Sequence, residues 1–125
     1  MLLDSNIIIY AAQPDHPNLR ALIANHAPAV SAISVVEVLG YHKLTAEERK
    51  DFEAFFAASR VHPVSDAVIS TAVRLRQQHR MSLGDALIAG TALEHNLVLV
   101  TRNVDDFRWV PDLRLHNPFG GDDAT

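Results

Sequence analysis

The chain has 125 residues, 48% hydrophobic and 21% charged, with 11 Lys and Arg against 15 Asp and Glu for a net charge of −4. That length supports one domain with its own core, and the absence of cysteine excludes disulfides, thiolate metal sites and a thiol nucleophile. A general nucleic-acid coat would be basic, so contact with nucleic acid here calls for a metal ion and a local cationic patch. The start, "MLLDSNIIIYAA", is apolar but has no basic leader and is interrupted by Asp4 and Asn6. It reads as neither a signal peptide nor a span of about 20 apolar residues, and the expectation is a cytoplasmic protein with no membrane contact.

In chain order, "MLL" reads as a buried first strand ended by Asp4, and "NIIIYAA" as a short helix or turn. "HPNLRALIANH" predicts a helix and "PAVSAI" a short strand. Two helices follow, over "SVVEVLGYHKL" and "TAEERKDFEAFFAAS". In the second, Thr45 and Glu48 form a capping box, and Phe52, Phe55 and Phe56 recur at helical spacing as a core face. "RVHPV" is a short strand, Ser65 caps a helix over "DAVISTAVRLRQQH", and "SLGDALIAGTALE" is a helix apolar almost all round that stops at Asn96. "LVLVT" is a continuous apolar strand of the kind covered on both faces, "TRNVDDF" a loop, and "LRLHNP" a last strand. Strands alternating with helices imply an α/β fold, three layers with a central parallel sheet flanked by helices. The domain is expected over 1–119, with "GGDDAT" at 120–125 a disordered tail.

In such sheets ligands gather at the carboxyl ends of the strands. Asp4 and Thr101 to Asn103 fall at that rim. Glu37 joins them at the head of a helix fed by a strand, whereas Asp85 follows another helix and is placed less firmly by the order of elements.

Most acids lie in polar stretches, but Asp4, Glu37 and Asp85 are each a single acid in an apolar run: "MLLDSNIII", "ISVVEVLG", "SLGDALIAG". No Lys or Arg lies within a helical turn of any of them. One reading is local. Ser34–Glu37 and Ser82–Asp85 both match [ST]-x-x-[DE], which puts each acid in a first helical turn as one limb of a capping box, and Asp4 caps the turn near Asn6. The other is convergence on a shared cation. Two carboxylates about 4 Å apart repel by roughly 1 kcal/mol in water and roughly 4 kcal/mol at an effective dielectric of 20. Oxygen ligands without Cys or ligand-spaced His select Mg²⁺ or Mn²⁺. The readings are compatible, since a carboxylate has two oxygens. The seven histidines form no H-x₃₋₅-H pair, and there is no glycine-rich phosphate loop.

Four stretches, "LLDSNIIIY", "SAISVVEVLGY", "SLGDALIAGTALEHNLVLVTRNVDDF" and "LRLHNPF", in this order and spacing, span residues 1 to 119. Together they resemble the PIN-domain endoribonucleases, in particular the VapC-like toxins of bacterial type II toxin–antitoxin pairs. The resemblance implies a three-layer α/β fold, an acidic metal site holding Mg²⁺ or Mn²⁺, hydrolysis of RNA, a cognate antitoxin partner and a homodimer. It makes Asp4, Glu37 and Asp85 the core acids, with Asn6, Ser34 and Thr101 in support. Where many members of that family carry a fourth acid, this chain has Asn103, whose amide oxygen can still coordinate. Asp105 or Asp106 is a substitute for it, although Asp106 reads more simply as a turn residue. The departure bears on a second metal, not the first.

Arg102 and Arg108 flank the "TRNVDDF" segment at the expected rim and are the candidates for RNA phosphate contacts. Arg74, Arg76, His79 and Arg80 read as compensation of a helix dipole, and Phe107 and Trp109 as packing residues. Two other functions fit less well. A phosphoacceptor receiver domain wants an acid pair beside the first strand and a late lysine, but the only lysines are Lys43 and Lys50. A catalytically inactive PIN-like binding module predicts no metal response and no effect of Asp4→Asn beyond stability.

Overall fold

A computed structural model describes residues 1–120, so the tail expected at 120–125 lies outside the described residues from 121 onward. Five short strands form one parallel sheet: β1 (Leu2–Leu3), β2 (Ala29–Ser31), β3 (Val61–His62), β4 (Leu99–Val100) and β5 (Leu115–His116), in the order β3-β2-β1-β4-β5. Connecting them are α1 (Ser5–Ala11), α2 (Pro17–His26), α3 (Ala32–Leu39), α4 (Ala46–Ala58), α5 (Asp66–Gln78), α6 (Leu83–Glu94) and α7 (Val104–Phe107). Among the described residues no helix is long and apolar enough to cross a membrane.

The strands are apolar at consecutive positions because both sheet faces are covered, and their side chains alternate between two cores. Leu2, Ala29 and Leu99 join a cluster with Leu75, Ile88 and Phe107 from α5, α6 and α7. Leu3, Val30 and Val100 point the other way, to Ile7, Leu19, Val38, Phe52 and Phe56 from α1 to α4. That alternation is the three-layer architecture. Capping acts as expected at α4, where Thr45 and Glu48 make both limbs of the box, and at α5, where Ser65 accepts from the Val68 N–H.

Helix α6 is apolar all round because the sheet covers one side and α5 the other. A Cβ at Gly90 would stand 3.0 Å from the Val68 carbonyl oxygen of α5, so glycine permits this approach. The helix ends as expected, with Asn96 in the left-handed region at φ 51°. "TRNVDDF" is not wholly a loop. Val104 and Phe107, three apart and both buried, anchor the single turn of α7 to the core.

The strand order fixes where a site can form. The chain steps from β1 out to β2 and β3, then returns past the centre to β4 and β5. The reversal lies between β1 and β4, and the carboxyl ends of those strands border the crevice where ligands bind in such sheets.

Candidate active site

Asp4 follows β1 directly. Its N–H donates to the Val100 carbonyl at 3.0 Å, extending the ladder by one residue, and the Thr101 N–H donates to the His116 carbonyl at 3.0 Å. Asp4 and Thr101 thus stand side by side at the β1–β4 reversal. Thr101 Oγ1 donates to Asp4 Oδ2 at 2.9 Å and accepts the Asn103 N–H at 3.1 Å. A hydroxyl has one proton, so these two bonds settle its orientation. Asp4 occupies the N-cap position of α1, yet its side chain makes no capping bond, so the local reading does not hold for this residue. The carboxylate is 5% exposed. Burial raises its pKa to about 6, against the opposing bonds from Thr101 and the Ser5 N–H, and the charges of Asp85 and Glu37 push it further in the same direction.

Glu37 is held from two sides. Helix α3 starts at Ala32, with Ser31 as its cap accepting from the Ile33 N–H, because the strand ends three residues earlier than the Ser34 pattern suggests. Ser34–Glu37 is therefore not a capping box, and Glu37 lies beyond the first turn. Ser34 is fully buried and turned toward Ser5, with 2.8 Å between the two hydroxyl oxygens. Ser5 Oγ donates to Glu37 Oε1 at 2.7 Å, so Ser34 is the donor to Ser5. The other carboxylate oxygen leans on α6, where a Cβ at Gly84 would stand 2.6 Å from Glu37 Oε2. This contact brings the start of α6 to the rim, although no strand leads into it.

Asp85 lies in the first turn of α6, and its N–H is capped by the Ser82 hydroxyl at 3.1 Å. Its pKa is raised by burial, then by the charge of Asp106, and to a lesser degree by Glu37, with Ser82 opposing. Asp106 is therefore more than a turn residue: it lies near enough for its charge to act on Asp85. Asn103 is exposed at the N-cap of α7 without a side-chain capping bond. It lines a groove of about 430 Å³ with Arg102, Asp106, Arg108 and Asn117. Asn6 is exposed on α1 and makes no hydrogen bond to the acids. Arg108 pairs with Asp105 at 3.6 Å on the surface.

Asp4 thus lies in the field of Asp85 and Glu37, and Asp85 in that of Asp106 and Glu37, and neither ion pair among the described residues involves any of these four acids. Hard oxygen donors with surplus negative charge fit a divalent cation. No three carboxylate or imidazole groups among the described residues close on one point as a ready-made chelate.

Comparisons with known proteins identify the family and the fold. A family model described as the PIN domain matches residues 1–113. The chain belongs to the PIN-domain family. It is 32% identical to "Ribonuclease VapC2" of Rickettsia felis, covering 93% of this chain and 96% of that one. Among solved structures, a chain of a toxin–antitoxin complex from Klebsiella pneumoniae superposes with a TM-score of 0.76 at 26% identity, over 94% of this chain and 96% of that one. The VapBC2 crystal structure from Rickettsia felis, bound to a promoter DNA fragment, gives a TM-score of 0.82 at 23% identity, over 93% and 96%.

Three residues at the rim of this PIN domain were missed or undervalued in the sequence. Ser5 stood in plain view beside Asp4, a hydroxyl at the head of an apolar helix. Gly84 carried a signal too, since glycine inside a helix costs about 1 kcal/mol relative to alanine and needs a reason. Asp106 had none that distinguished it from Asp105, because only the turn of α7 decides which of the two faces Asp85.

Proposed function

We propose that this PIN domain is a metal-dependent endoribonuclease, hydrolysing RNA phosphodiester bonds as the cytoplasmic toxin of a toxin–antitoxin pair. The observation that carries the reading is Asp4. It is a buried carboxylate with a raised pKa, facing Asp85 and Glu37 without a cationic partner, at the sheet's reversal point. The ribonuclease relative at 32% identity over nearly the whole chain supports the substrate, and the toxin–antitoxin complex at 26% identity supports the partner.

Asp4 and Asp85 would hold Mg²⁺ or Mn²⁺, with Glu37, Asn103 and Asp106 completing the polar shell. A bound ion would supply Lewis acidity for water activation and offset the negative charge of the phosphoryl group. Thr101 keeps Asp4 ionised by donating to Oδ2. Ser5, itself braced by Ser34, fixes Glu37 through Oε1 and leaves Oε2 to orient the attacking water for in-line displacement. The fold also offers a seat for an antitoxin segment. An apolar groove of about 360 Å³ between α1, α3 and α4, lined by Ile9, Val38, Tyr41, Leu44 and Phe52, suits the apolar face of a docking helix. A homodimer completes the proposed assembly.

The test is cleavage of a mixture of transcribed tRNA and rRNA by wild type, Asp4→Asn and Asp85→Asn, with Mg²⁺ or EDTA. The reading expects cutting only by the wild type with metal. Cleavage that persists in EDTA or in both variants contradicts it. Folded wild type that neither cuts nor responds to metal supports the inactive binding module.

A further inference from the structure

Arg102 and Arg108 both line the groove beside the acids, but they are not equivalent. Arg108 is engaged by Asp105. Arg102 takes part in no ion pair among the described residues. Its guanidinium carbon lies 4.3 Å from the centre of the Phe119 ring and 5.5 Å from that of Tyr10. A guanidinium stacked on rings in this way keeps its edge N–H donors free while losing much of the rotamer freedom of an exposed arginine.

The seat beneath it is itself built. Phe119 meets Tyr10 edge-on at 5.4 Å and His16 at 5.2 Å, and Tyr10 meets His16 at 5.6 Å, so three rings from α1, the start of α2 and the C-terminal turn brace one another. The Phe119 N–H donates to Asn117 Oδ1 at 2.9 Å, and Asn18 Nδ2 donates to the Pro118 carbonyl at 3.4 Å. On its other side Arg102 is bonded in sequence to Thr101, whose hydroxyl holds Asp4. The charge is thus fixed with respect to both the aromatic trio and the acidic site.

The geometry points to Arg102 as the anchor for a backbone phosphate of single-stranded RNA next to the scissile one, with Phe119 as the positioning residue that holds it there. This rests on the ribonuclease reading. The groove supplies an unpaired, pre-oriented cation with Asn103 and Asn117 on its walls. The acids alone would repel the same strand. An arginine serving only surface solubility needs no aromatic seat.

The test is binding of a fluorescein-labelled oligouridylate in EDTA, where metal-dependent cutting is off, measured by anisotropy across a KCl series. Arg102→Ala should weaken binding and reduce the slope of log K against log salt by about 0.7, one phosphate contact on a single strand. Phe119→Ala should weaken it about two- to fivefold, the range of an exposed cation–π contact, and Phe119→Tyr should restore it. In the Arg102→Ala background Phe119→Ala should cost nothing further, an interaction that a general loss of structure does not produce. Arg102→Lys, at an exposed position that does not threaten folding, should keep the salt slope and lose affinity as Phe119→Ala does. An unchanged slope in Arg102→Ala, or equal losses from Phe119→Ala in both backgrounds, overturns the anchor alone. A wild type that binds no RNA also overturns the anchor, while the ribonuclease reading stands or falls on the cleavage test with metal.

Discussion

Replacing Asp4 by Asn should stabilise the metal-free protein. The Asp4 pKa is raised from 3.8 to about 6, first by burial and then by neighbouring acids. A shift of about 2 units corresponds to about 3 kcal/mol between protonated and ionised forms. The folded state binds this proton more tightly than the unfolded chain. Its contribution is therefore full below the unfolded value and is lost as pH rises through about 6. At pH 7.5 the wild type bears the whole cost of an ionised Asp4. Asparagine cannot ionise, and its amide oxygen still accepts from Thr101. Urea or thermal unfolding in EDTA should show Asp4→Asn more stable by about 3 kcal/mol at pH 7.5, roughly 10 °C in midpoint for a domain this size. The two proteins should converge toward pH 4. An Asp4→Asn protein that is less stable at pH 7.5, or a difference that ignores pH, refutes the reasoning.

Other substitutions separate the supporting roles. Thr101→Val removes the hydroxyl that keeps Asp4 ionised, so the acid limb of the cleavage pH profile should move to higher pH, while Thr101→Ser leaves it in place. Gly84→Ala brings a Cβ against the movable end of Glu37; the unfolding free energy should hold or rise by up to about 1 kcal/mol of helix propensity, while cleavage falls about ten- to a hundredfold. Asp106→Asn removes the largest charge acting on Asp85, so Mn²⁺ affinity measured by calorimetry should fall, but less than in Asp85→Asn.

The sheet and both cores could be read from the sequence because short apolar runs such as "LVLV" and "AVS", set between helical patterns, suit strands buried on both faces. The three acids stood out for the opposite reason, as isolated charges in apolar company. What the sequence hid was set by tertiary contacts. The Ser34–Glu37 spacing imitates a capping box, but the helix starts at the end of β2 and takes Ser31 as its cap, which frees Ser34 to brace Ser5. Asp85 could not be brought to the rim by element order, because the contact that does so is the missing side chain of Gly84 against Glu37. Arg102 read as a phosphate candidate on a par with Arg108 until the closing Asn117–Phe119 turn placed a ring beneath it.

The central claim is that Asp4, Glu37 and Asp85 form one cation site. Its most direct test is the thermal midpoint of wild type, Asp4→Asn and Asp85→Asn in EDTA and then in rising Mn²⁺. The wild type should gain about 2.7 kcal/mol at a hundredfold excess over Kd, and each variant should lose most of that gain. A wild type whose midpoint does not respond to Mn²⁺, or variants that respond as fully as it does, would contradict the shared site.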